Sequence, residues 1–259
     1  MAASYPFRAA LVTGASSGIG AEAARQLAAA GVPVVVVARR RERLEALAAE
    51  LADVEVLVAD LETREGQTVV AARIADPARP IDLVVNNAGF GTSGAFAELD
   101  VDRLSREIAL NVDALTRLTH AALAVMVPRG RGWVLNVSSF ASFQPAPRLA
   151  VYAATKAYVT SLGESLHQEV KASGVVVTTL CPGLVRTEFE SVSNTSHYQT
   201  EFPDVLWLPV DEVVSTALNA VAKGRAVCVP GAFYKSASWA TGMVPRWVRR
   251  AASGVVQRR

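Results

Sequence analysis

The sequence Thr13-Gly14-Ala15-Ser16-Ser17-Gly18-Ile19-Gly20 carries the strongest structural signal in this chain. An apolar run at residues 9–12 precedes it, and an alanine-rich segment at residues 21–30 follows it. Strand, glycine-rich turn and helix in this order form a phosphate-binding unit, because the glycines let the backbone approach a pyrophosphate and the helix N-terminus offers unpaired N–H groups. We therefore predict that a dinucleotide contacts these residues of the turn: Gly14, Ser16, Ser17, Gly18, Ile19 and Gly20.

Further apolar runs rich in β-branched residues follow, separated by segments with helical periodicity. They lie at residues 32–38, 54–59, 81–85, 133–137, 175–180 and 226–229. Runs that are apolar throughout are typical of parallel strands buried on both faces. No repeat and no Gly/Ser- or Pro-rich linker divides the 259 residues, a length that suits one α/β domain. The sequence thus predicts a single α/β domain spanning residues 1–259.

The end of the second predicted strand bears on the choice of cofactor. In dinucleotide folds an acidic residue there binds the 2′-hydroxyl of the adenosine ribose, whereas an arginine accommodates a 2′-phosphate. Ala38 and Arg39 stand at this place, so we predict NADP(H) rather than NAD(H), with Arg39 on the phosphate. Arg40, Arg41 and Arg43 fit the solvated start of the next helix, although one of them could flank the phosphate.

The third and fourth predicted strands also end in candidate cofactor contacts. Asp60-Leu61 ends the third strand, and the Asp60 carboxylate could either accept a hydrogen bond from an adenine amino group or cap the next helix. Asn86-Asn87-Ala88-Gly89 follows the fourth strand, where the small Ala88 and Gly89 leave room for a planar ring or a ribose. We predict cofactor contacts at both strand ends: Asp60, Leu61, Asn87, Ala88 and Gly89.

Tyr152, Lys156 and Ser139 are the candidate catalytic residues. Tyr152 and Lys156 are four residues apart and therefore share one face of a helix. A cation within hydrogen-bonding range of a phenol lowers its pKa by roughly 1–3 units, toward the value that a general acid/base needs near neutrality. Ser139 follows the apolar run at residues 133–137, at the carboxyl end of a buried strand, where parallel sheets bind ligands.

Two further features point to function. Asn111 stands within the apolar pattern of a helix predicted over residues 101–126, where an amide without hydrogen bonds is costly, so we predict a structural or relay role for it. Residues 188–209 form a polar segment with scattered aromatic side chains. A loop of this length is uncommon unless it is functional, so we predict a substrate lid there.

Together these motifs resemble those of the short-chain dehydrogenase/reductase family of the 250-residue type. The resemblance covers residues 9 to about 230, where the motifs occur in the family's order and spacing: Thr13-Gly14-x-x-x-Gly18-x-Gly20, Asn86-Asn87-Ala88-Gly89, Asn111, Ser139, Tyr152-x-x-x-Lys156 and Pro182-Gly183-x-x-x-Thr187. The resemblance implies a doubly wound, seven-stranded parallel sheet (Rossmann fold) and a nicotinamide cofactor. It also implies interconversion of a carbonyl and a secondary alcohol by hydride transfer.

The resemblance further implies a role for each matching residue. Tyr152 would be the general acid/base, and Ser139 would hold the substrate oxygen. Ser138 competes for that second role, but the spacing of 13 residues to Tyr152 favours Ser139. Lys156 would bind the nicotinamide ribose and depress the pKa of Tyr152, and Asn111 would keep a water in a proton relay. Besides Tyr152 and Lys156, further cofactor contacts would come from Pro182, Gly183, Val185 and Thr187.

The predicted substrate pocket is apolar. Its walls should come from the lid at about residues 188–209 and from Phe90, Phe140, Phe143, Gln144, Leu184 and Phe189. Such walls favour an apolar carbonyl or secondary alcohol without choosing among steroids, acyl chains, aromatic ketones and polyols. The alternative is a dinucleotide-binding sensor or membrane-associated scaffold without turnover, which would have no use for a poised Tyr152 and Lys156.

Composition adds a few constraints on partners and location. A formal net charge of +2 does not indicate a nucleic-acid partner, and Cys181 and Cys228 lack the spacing of metal ligands, so we expect neither nucleic acid nor metal. The first residues do not read as a signal peptide, and no run reaches the roughly 18 apolar residues of a spanning helix. We therefore expect a cytoplasmic protein.

Residues 231–259 depart from the family pattern, because typical members end soon after the last strand. This extension contains no acidic residue and carries Lys235, Arg246, Arg249, Arg250, Arg258 and Arg259. We favour a helix that packs on the body of the protein with a solvated basic edge over an interfacial segment attracted to anionic lipid. We expect a homo-oligomer, although the extension puts the family's usual tetramer in doubt.

Overall fold

Nine strands are present in the part of the chain that this computed structural model describes, residues 5–196 and 198–243. They are β1 (Ala10–Thr13), β2 (Val34–Ala38), β3 (Val54–Val58), β4 (Leu83–Asn86), β5 (Gly132–Val137), β6 (Val175–Leu180), β7 (Leu184–Val185), β8 (Trp207–Leu208) and β9 (Val227–Cys228). Seven of them form one parallel sheet in the order β3-β2-β1-β4-β5-β6-β9. The order reverses direction at β1 and β4, which confirms the doubly wound Rossmann fold and places a ligand cleft at the carboxyl ends of these strands.

Helices connect the strands. They are α1 (Gly18–Ala29), α2 (Arg41–Glu50), α3 (Arg64–Ala75), α4 (Val101–Ile108), α5 (Leu115–Arg129), α6 (Ala150–Glu169), α7 (Phe189–Val192), α8 (Tyr198–Glu201), α9 (Val210–Ala222) and α10 (Ala232–Met243). Short 3-10 turns lie at Phe96–Glu98, Phe140–Phe143, Lys171–Ser173 and Asp204–Leu206. No helix within the described ranges is both long and apolar enough to cross a membrane.

The sheet is buried on both faces, as its apolar strands predict. In β1, Ala10 and Val12 point to one face and Leu11 to the other, since side chains alternate along a strand. On the first face the sheet packs against α1, α2 and α9, which contribute Leu27, Leu44 and Leu218. On the second it packs against α3, α5 and α6, which contribute Val70, Leu118 and Leu166. Full burial of each such side chain stabilises the fold by about 1.5–3 kcal/mol.

The helix predicted over residues 101–126 is not uniform. A π-helical segment at Ala109–Ala114 separates α4 from α5, and Asn111 lies within it. α5 then continues past the predicted end to Arg129 and includes Pro128. A π segment adds a residue to one turn and is common at functional sites, because it turns side chains to new directions.

The segment at residues 188–209 is more ordered than the predicted loop. It contains α7, α8, the turn at Asp204–Leu206 and β8. β8 pairs in parallel with β7, with Leu184 opposite Trp207 and Val185 opposite Leu208. Backbone pairing therefore holds the far end of this segment against the strand that follows the Pro182-Gly183 motif.

The C-terminal extension begins as a helix against the body of the protein. Tyr234 of α10 is buried, and its ring packs against the ring of Phe140 with centroids 5.2 Å apart. The basic residues Arg246, Arg249, Arg250, Arg258 and Arg259 lie outside the described residues.

Candidate active site

A cavity of about 650 Å³ opens at the carboxyl ends of the sheet. It runs from the glycine-rich turn to Tyr152 and is lined by all but one of the predicted cofactor contacts: Gly14, Ser16, Ser17, Gly18, Ile19, Arg39, Asp60, Leu61, Asn87, Ala88, Gly89, Tyr152, Lys156, Pro182, Gly183, Val185 and Thr187. Gly20 is the exception, because it lies beneath the turn. A Cβ on Gly20 would be 2.4 Å from the Gly14 carbonyl oxygen, so Gly20 permits close packing instead.

The glycine-rich turn has the shape and polarity of a phosphate cradle. Gly14 has a φ of +66°, and a Cβ there would lie 2.7 Å from Asn87 Nδ2, so only glycine fits. α1 begins at Gly18 with no acidic residue in its first turn, and the side chain of Ser17 makes no capping hydrogen bond. The first N–H groups of α1 are thus available to an anion, and the turn fits the pyrophosphate of a dinucleotide.

Two arginines, not one, line the adenosine end of the cavity. Arg39 Nη1 donates to Glu62 Oε1 at 2.6 Å and lies 3.8 Å from Asp60 Oδ2. Arg40 turns toward the glycine-rich turn and donates to Ser16 Oγ at 2.8 Å and to Ser17 Oγ at 3.0 Å. Arg40 thus combines the two placements that the sequence left open: it immediately precedes α2, with a side chain that is 43% exposed, and it lines the cleft beside the glycine-rich turn.

Asp60 is not the cap of the next helix. Its Oδ1 accepts a hydrogen bond from the backbone N–H of Glu62 at 3.0 Å, which forms a local turn. Thr63 caps α3 by accepting a hydrogen bond from the Gly66 N–H at 3.1 Å. Of the two interpretations of Asp60 from the sequence, capping is excluded, and contact with adenine stays a prediction.

Asn87 joins the end of β4 to the glycine-rich turn. Its side-chain Nδ2 donates to the Thr13 carbonyl oxygen at 2.9 Å, and its backbone N–H donates to Thr13 Oγ1 at 3.0 Å. The Ala88 N–H donates to the same hydroxyl oxygen at 3.0 Å. These bonds fix the distance between the two strand ends that border the cleft.

The two candidate serines have different environments. Ser138 is buried, donates to the Lys156 carbonyl oxygen at 2.8 Å and shares a hydrogen bond with Thr160 Oγ1 at 2.7 Å, which ties β5 to α6. Ser139 lines the cavity, and its hydroxyl lowers the pKa of the Tyr152 phenol. Its Oγ also accepts from the Ala141 N–H at 3.1 Å. Ser139 is therefore the serine placed to meet a substrate oxygen.

Tyr152 and Lys156 lie together in the cavity wall, but their pKa values differ from expectation. Burial raises the pKa of Tyr152 to about 12; the hydrogen bond from Ser139 opposes this rise, and Glu107 adds to it. Burial lowers the pKa of Lys156 to about 8. The expected depression of the phenol pKa by Lys156 is thus absent, because Lys156 Nζ donates to the Val137 carbonyl oxygen at 2.8 Å and lies 5.7 Å from the centroid of the Tyr152 ring.

Asn111 clamps the backbone of Phe90. Asn111 Nδ2 donates to the Phe90 carbonyl oxygen at 2.8 Å and to Thr155 Oγ1 at 3.1 Å, and Asn111 Oδ1 accepts from the Phe90 N–H at 3.1 Å. The amide therefore joins the segment after β4 to α6, which carries Tyr152. Its predicted role in holding a relay water stays a prediction, since these side-chain bonds go to protein groups.

Glu107 is a buried acidic residue that the sequence analysis missed, and its charge acts on Tyr152 and Lys156. It is 0% exposed, and neither of its carboxyl oxygens nor Thr92 Oγ1 has a hydrogen-bond partner of normal geometry among the described residues. Burial raises the pKa of Glu107 to about 7, and Thr92, Arg103 and Lys156 oppose this rise. Helical spacing was the available signal, because residue 107 lies on the same face as Leu104 and Asn111.

The substrate side of the cavity is mainly apolar, as predicted. Phe90, Phe140, Gln144, Leu184 and Phe189 line it, and the Phe189 ring lies 5.3 Å from that of Tyr152, centroid to centroid. The expectation for Phe143 was wrong, because this residue is not part of the cavity wall and its ring packs against Phe140 at 6.0 Å. The wall includes further residues of the lid and of α10: Tyr198, Phe202, Leu206, Phe233 and Tyr234.

Tyr234 connects three parts of this wall. Its hydroxyl accepts a hydrogen bond from the Leu184 N–H at 3.1 Å and donates one to the Leu206 carbonyl oxygen at 2.8 Å. α10 thus belongs to the candidate site, which the family pattern could not indicate because the extension departs from it. Within the described part of the chain, no cluster of three or more His, Cys, Asp or Glu residues could hold a metal ion.

Comparison with known proteins gives consistent similarities. The profile of the short chain dehydrogenases matches residues 8–197. An uncharacterized oxidoreductase of Myxococcus xanthus is 35% identical over 228 residues, which cover 86% of this chain and 87% of that protein.

Two solved structures are also similar. A short-chain dehydrogenase from Sphingobium yanoikuyae in complex with NADPH is 34% identical, with a TM-score of 0.81 over 92% of this chain and 96% of that one. The bulky-bulky ketone specific alcohol dehydrogenase from Comamonas testosteroni is 30% identical, with a TM-score of 0.77 over 92% and 95% of the two chains.

Proposed function

The chain belongs to the short-chain dehydrogenase family and is an NAD(P)-dependent oxidoreductase, and we propose that it prefers NADP(H) and reduces apolar ketones with Tyr152 as the general acid. The observation that carries this proposal is the single cavity lined by the glycine-rich turn, Arg39 and Arg40 at one end and by Ser139, Tyr152 and Lys156 at the other. One site can therefore hold a dinucleotide and a small carbonyl compound side by side.

The proton step falls to Tyr152. A bound nicotinamide supplies the hydride for the carbonyl carbon, and the carbonyl oxygen must gain a proton for the alcohol to form. The Tyr152 phenol, whose pKa is raised to about 12 by burial, is protonated at neutral pH, so a proton is present there for the carbonyl oxygen. We assign Ser139, which lines the same cavity, to orienting the same oxygen.

Lys156 has a separate role in this site. Its pKa of about 8 leaves the ammonium group largely charged at pH 7. We assign it to binding the nicotinamide ribose. Asn111 holds the backbone of Phe90 close to Lys156. The neighbouring Gly89 lies between the two side chains, because a Cβ on it would be 2.7 Å from Asn111 Oδ1 and 3.5 Å from Lys156 Nζ.

The proposed substrates are ketones with bulky apolar substituents. Aromatic and aliphatic side chains from four elements line the substrate end: the turn at Phe140–Phe143, β7, the lid at residues 188–209 and α10. The named specificity of the Comamonas testosteroni neighbour for bulky-bulky ketones supports the same class. Small polyols would leave this apolar surface without a partner.

The preference for NADP(H) rests on charge at the adenosine end. Ala38 provides no carboxylate to hold a ribose diol, and Arg39 and Arg40 both line the cavity there. An arginine can bind phosphate through two parallel N–H donors. NADPH in the Sphingobium yanoikuyae neighbour supports the assignment.

The experiment for this function is a panel of ketones of increasing bulk, assayed with NADPH and NADH at one ionic strength. We expect turnover of bulky apolar ketones with NADPH in preference to NADH. Binding of NADPH without turnover of any carbonyl or alcohol would instead support the alternative of a dinucleotide-binding sensor.

The cytoplasmic location and the homo-oligomeric state remain predictions.

A further inference from the structure

Glu188 bridges the two sides of the cofactor cleft. It lies between Thr187, which ends the Pro182-Gly183 motif, and Phe189, the first residue of α7. Its side chain reaches α2 and the residue before it: Oε2 accepts a hydrogen bond from Arg40 Nη1 at 2.8 Å, and Oε1 accepts one from Arg43 Nη1. Glu188 itself lines the cavity. The lid segment thus places a carboxylate at the adenosine end.

The arginine that Glu188 contacts is the one directed at the glycine-rich turn. Arg40 uses Nε and Nη2 to donate to the hydroxyls of Ser16 and Ser17, and its remaining nitrogen, Nη1, donates to Glu188. All three nitrogens of the Arg40 guanidinium therefore have partners within the protein. The hydrogen bonds from Arg43 and Arg40 lower the pKa of Glu188 to about 2, so this carboxylate is ionised at neutral pH.

We propose that Glu188 is a specificity-determining residue, an internal anion that competes with the adenosine 2′-phosphate for Arg40. This inference rests on the proposed NADP(H) preference. A phosphate held by Arg40 would lie beside the Glu188 carboxylate, and the two negative charges would repel each other. NADP(H) must therefore displace Glu188 from Arg40, whereas NAD(H), which lacks the phosphate, leaves the pair in place.

The exposure of the Arg40–Glu188 ion pair determines how much Glu188 reduces the affinity for the 2′-phosphate. The side chains of Arg40 and Glu188 are 43% and 40% exposed, so the carboxylate can turn into solvent without crossing packed groups. Exposed ion pairs of this kind are weak, and the displaced carboxylate also repels the phosphate. We therefore expect Glu188 to reduce the affinity for a 2′-phosphate by about three- to tenfold, a change that corresponds to about 0.6–1.4 kcal/mol.

The test compares two nucleotides that differ only in the 2′-phosphate, adenosine 2′,5′-bisphosphate and adenosine 5′-monophosphate, by isothermal titration at low ionic strength. Glu188→Gln should bind the bisphosphate about three- to tenfold more tightly than the parent does, with monophosphate binding unchanged within about twofold. Glu45→Gln is the matched control, because it removes the same charge from a residue of α2 that pairs with Arg41 and with neither Arg40 nor Arg43. In an Arg40→Ala background the gain from Glu188→Gln should vanish.

Each outcome separates this inference from the NADP(H) preference. If the parent prefers the bisphosphate but Glu188→Gln gains nothing, or if the gain persists without Arg40, the role of Glu188 is refuted and the cofactor preference stands. If the parent binds both nucleotides equally and Glu188→Gln prefers the bisphosphate, the role of Glu188 stands and the cofactor preference of the parent is refuted. Equal binding by both proteins refutes both.

Discussion

Asn111 forms hydrogen bonds with both backbone polar groups of Phe90. It donates to the Phe90 carbonyl oxygen at 2.8 Å and accepts from the Phe90 N–H at 3.1 Å. The third hydrogen bond of this amide, to Thr155 Oγ1 at 3.1 Å, connects Asn111 to α6, which carries Tyr152 and Lys156. Asn111 is buried, so these hydrogen bonds have no competition from bulk water. The backbone that borders the cavity after β4 is therefore fixed relative to α6.

Replacing Asn111 tests this clamp. Asn111→Ala leaves both backbone groups of Phe90 without their partner and removes one of the two hydrogen bonds of the Thr155 hydroxyl, which still donates to the Tyr152 carbonyl oxygen. The free energy of unfolding should therefore fall by about 1–3 kcal/mol. The rate of ketone reduction should also fall. Urea unfolding measures the change in stability. The control is Asn219→Ala, on α9 and distant in sequence from the cavity segments, which should leave the rate unchanged. Unaltered stability and rate in Asn111→Ala would contradict the clamp.

Glu107 should make stability depend on pH. Its pKa is raised from 4.5 to about 7 in the folded protein, so between these values the folded chain keeps a proton that the unfolded chain has lost. The free energy of unfolding should therefore fall as the pH rises through this window, by on the order of 3 kcal/mol in total, and this contribution should be flat below and above it.

Glu107→Gln removes that titration and should abolish the dependence. The measurement is urea unfolding across this pH window for the parent, for Glu107→Gln and for Glu98→Gln, an exposed acidic control. Parallel curves for the parent and Glu107→Gln would show that the buried carboxyl does not titrate there.

The two arginines at the adenosine end predict cofactor affinity. Arg40→Ala removes a charged donor beside Ser16 and Ser17 and should weaken NADPH binding by about ten- to a hundredfold, with little effect on NADH. Arg41→Ala is the matched control, because Arg41 pairs with Glu45 and does not line the cavity. The measurement is the dissociation constant of each variant for NADPH and for NADH, from fluorescence titration. A similar loss for NADPH and NADH would exclude a role specific to the 2′-phosphate.

The sequence predicted the local parts of this site well and its long-range contacts poorly. The glycine-rich turn and the Tyr152–Lys156 pair each depend on residues within a few positions of one another, so spacing alone places them. Which arginine faces the turn depends on where α2 begins, and helix boundaries are poorly encoded in sequence. The sequence therefore left open which of Arg40, Arg41 and Arg43 flanks the phosphate.

Other features depend on contacts between distant segments. Burial of Tyr152 and Glu107 by the surrounding fold sets the direction of their pKa shifts, and no neighbour in sequence reports it. The hydrogen bonds of Tyr234 to Leu184 and Leu206 span 50 and 28 residues. The role of α10 in the cavity wall therefore becomes visible only in the folded chain.

α10 should contribute to the choice of substrate. Phe233 lines the cavity, whereas Trp239 on the same helix is 71% exposed and does not. Phe233→Ala removes apolar surface and should raise KM for bulky ketones by about tenfold, with a smaller effect on small ketones. Trp239→Ala should leave KM unchanged. The same rise in KM for ketones of every size would refute an apolar contact between Phe233 and the substrate.

The central claim is that Tyr152 transfers the proton. The most direct measurement is the rate of NADPH-dependent reduction of the best ketone by Tyr152→Phe, together with NADPH affinity and with Tyr158→Phe as a control. Tyr158 lies on the same helix, but its hydroxyl bonds to Thr116 Oγ1 at 3.0 Å. We predict that Tyr152→Phe lowers kcat by about a hundredfold or more and binds NADPH as the parent does, while Tyr158→Phe keeps full activity. A Tyr152→Phe variant that reduces the ketone as fast as the parent would contradict the account.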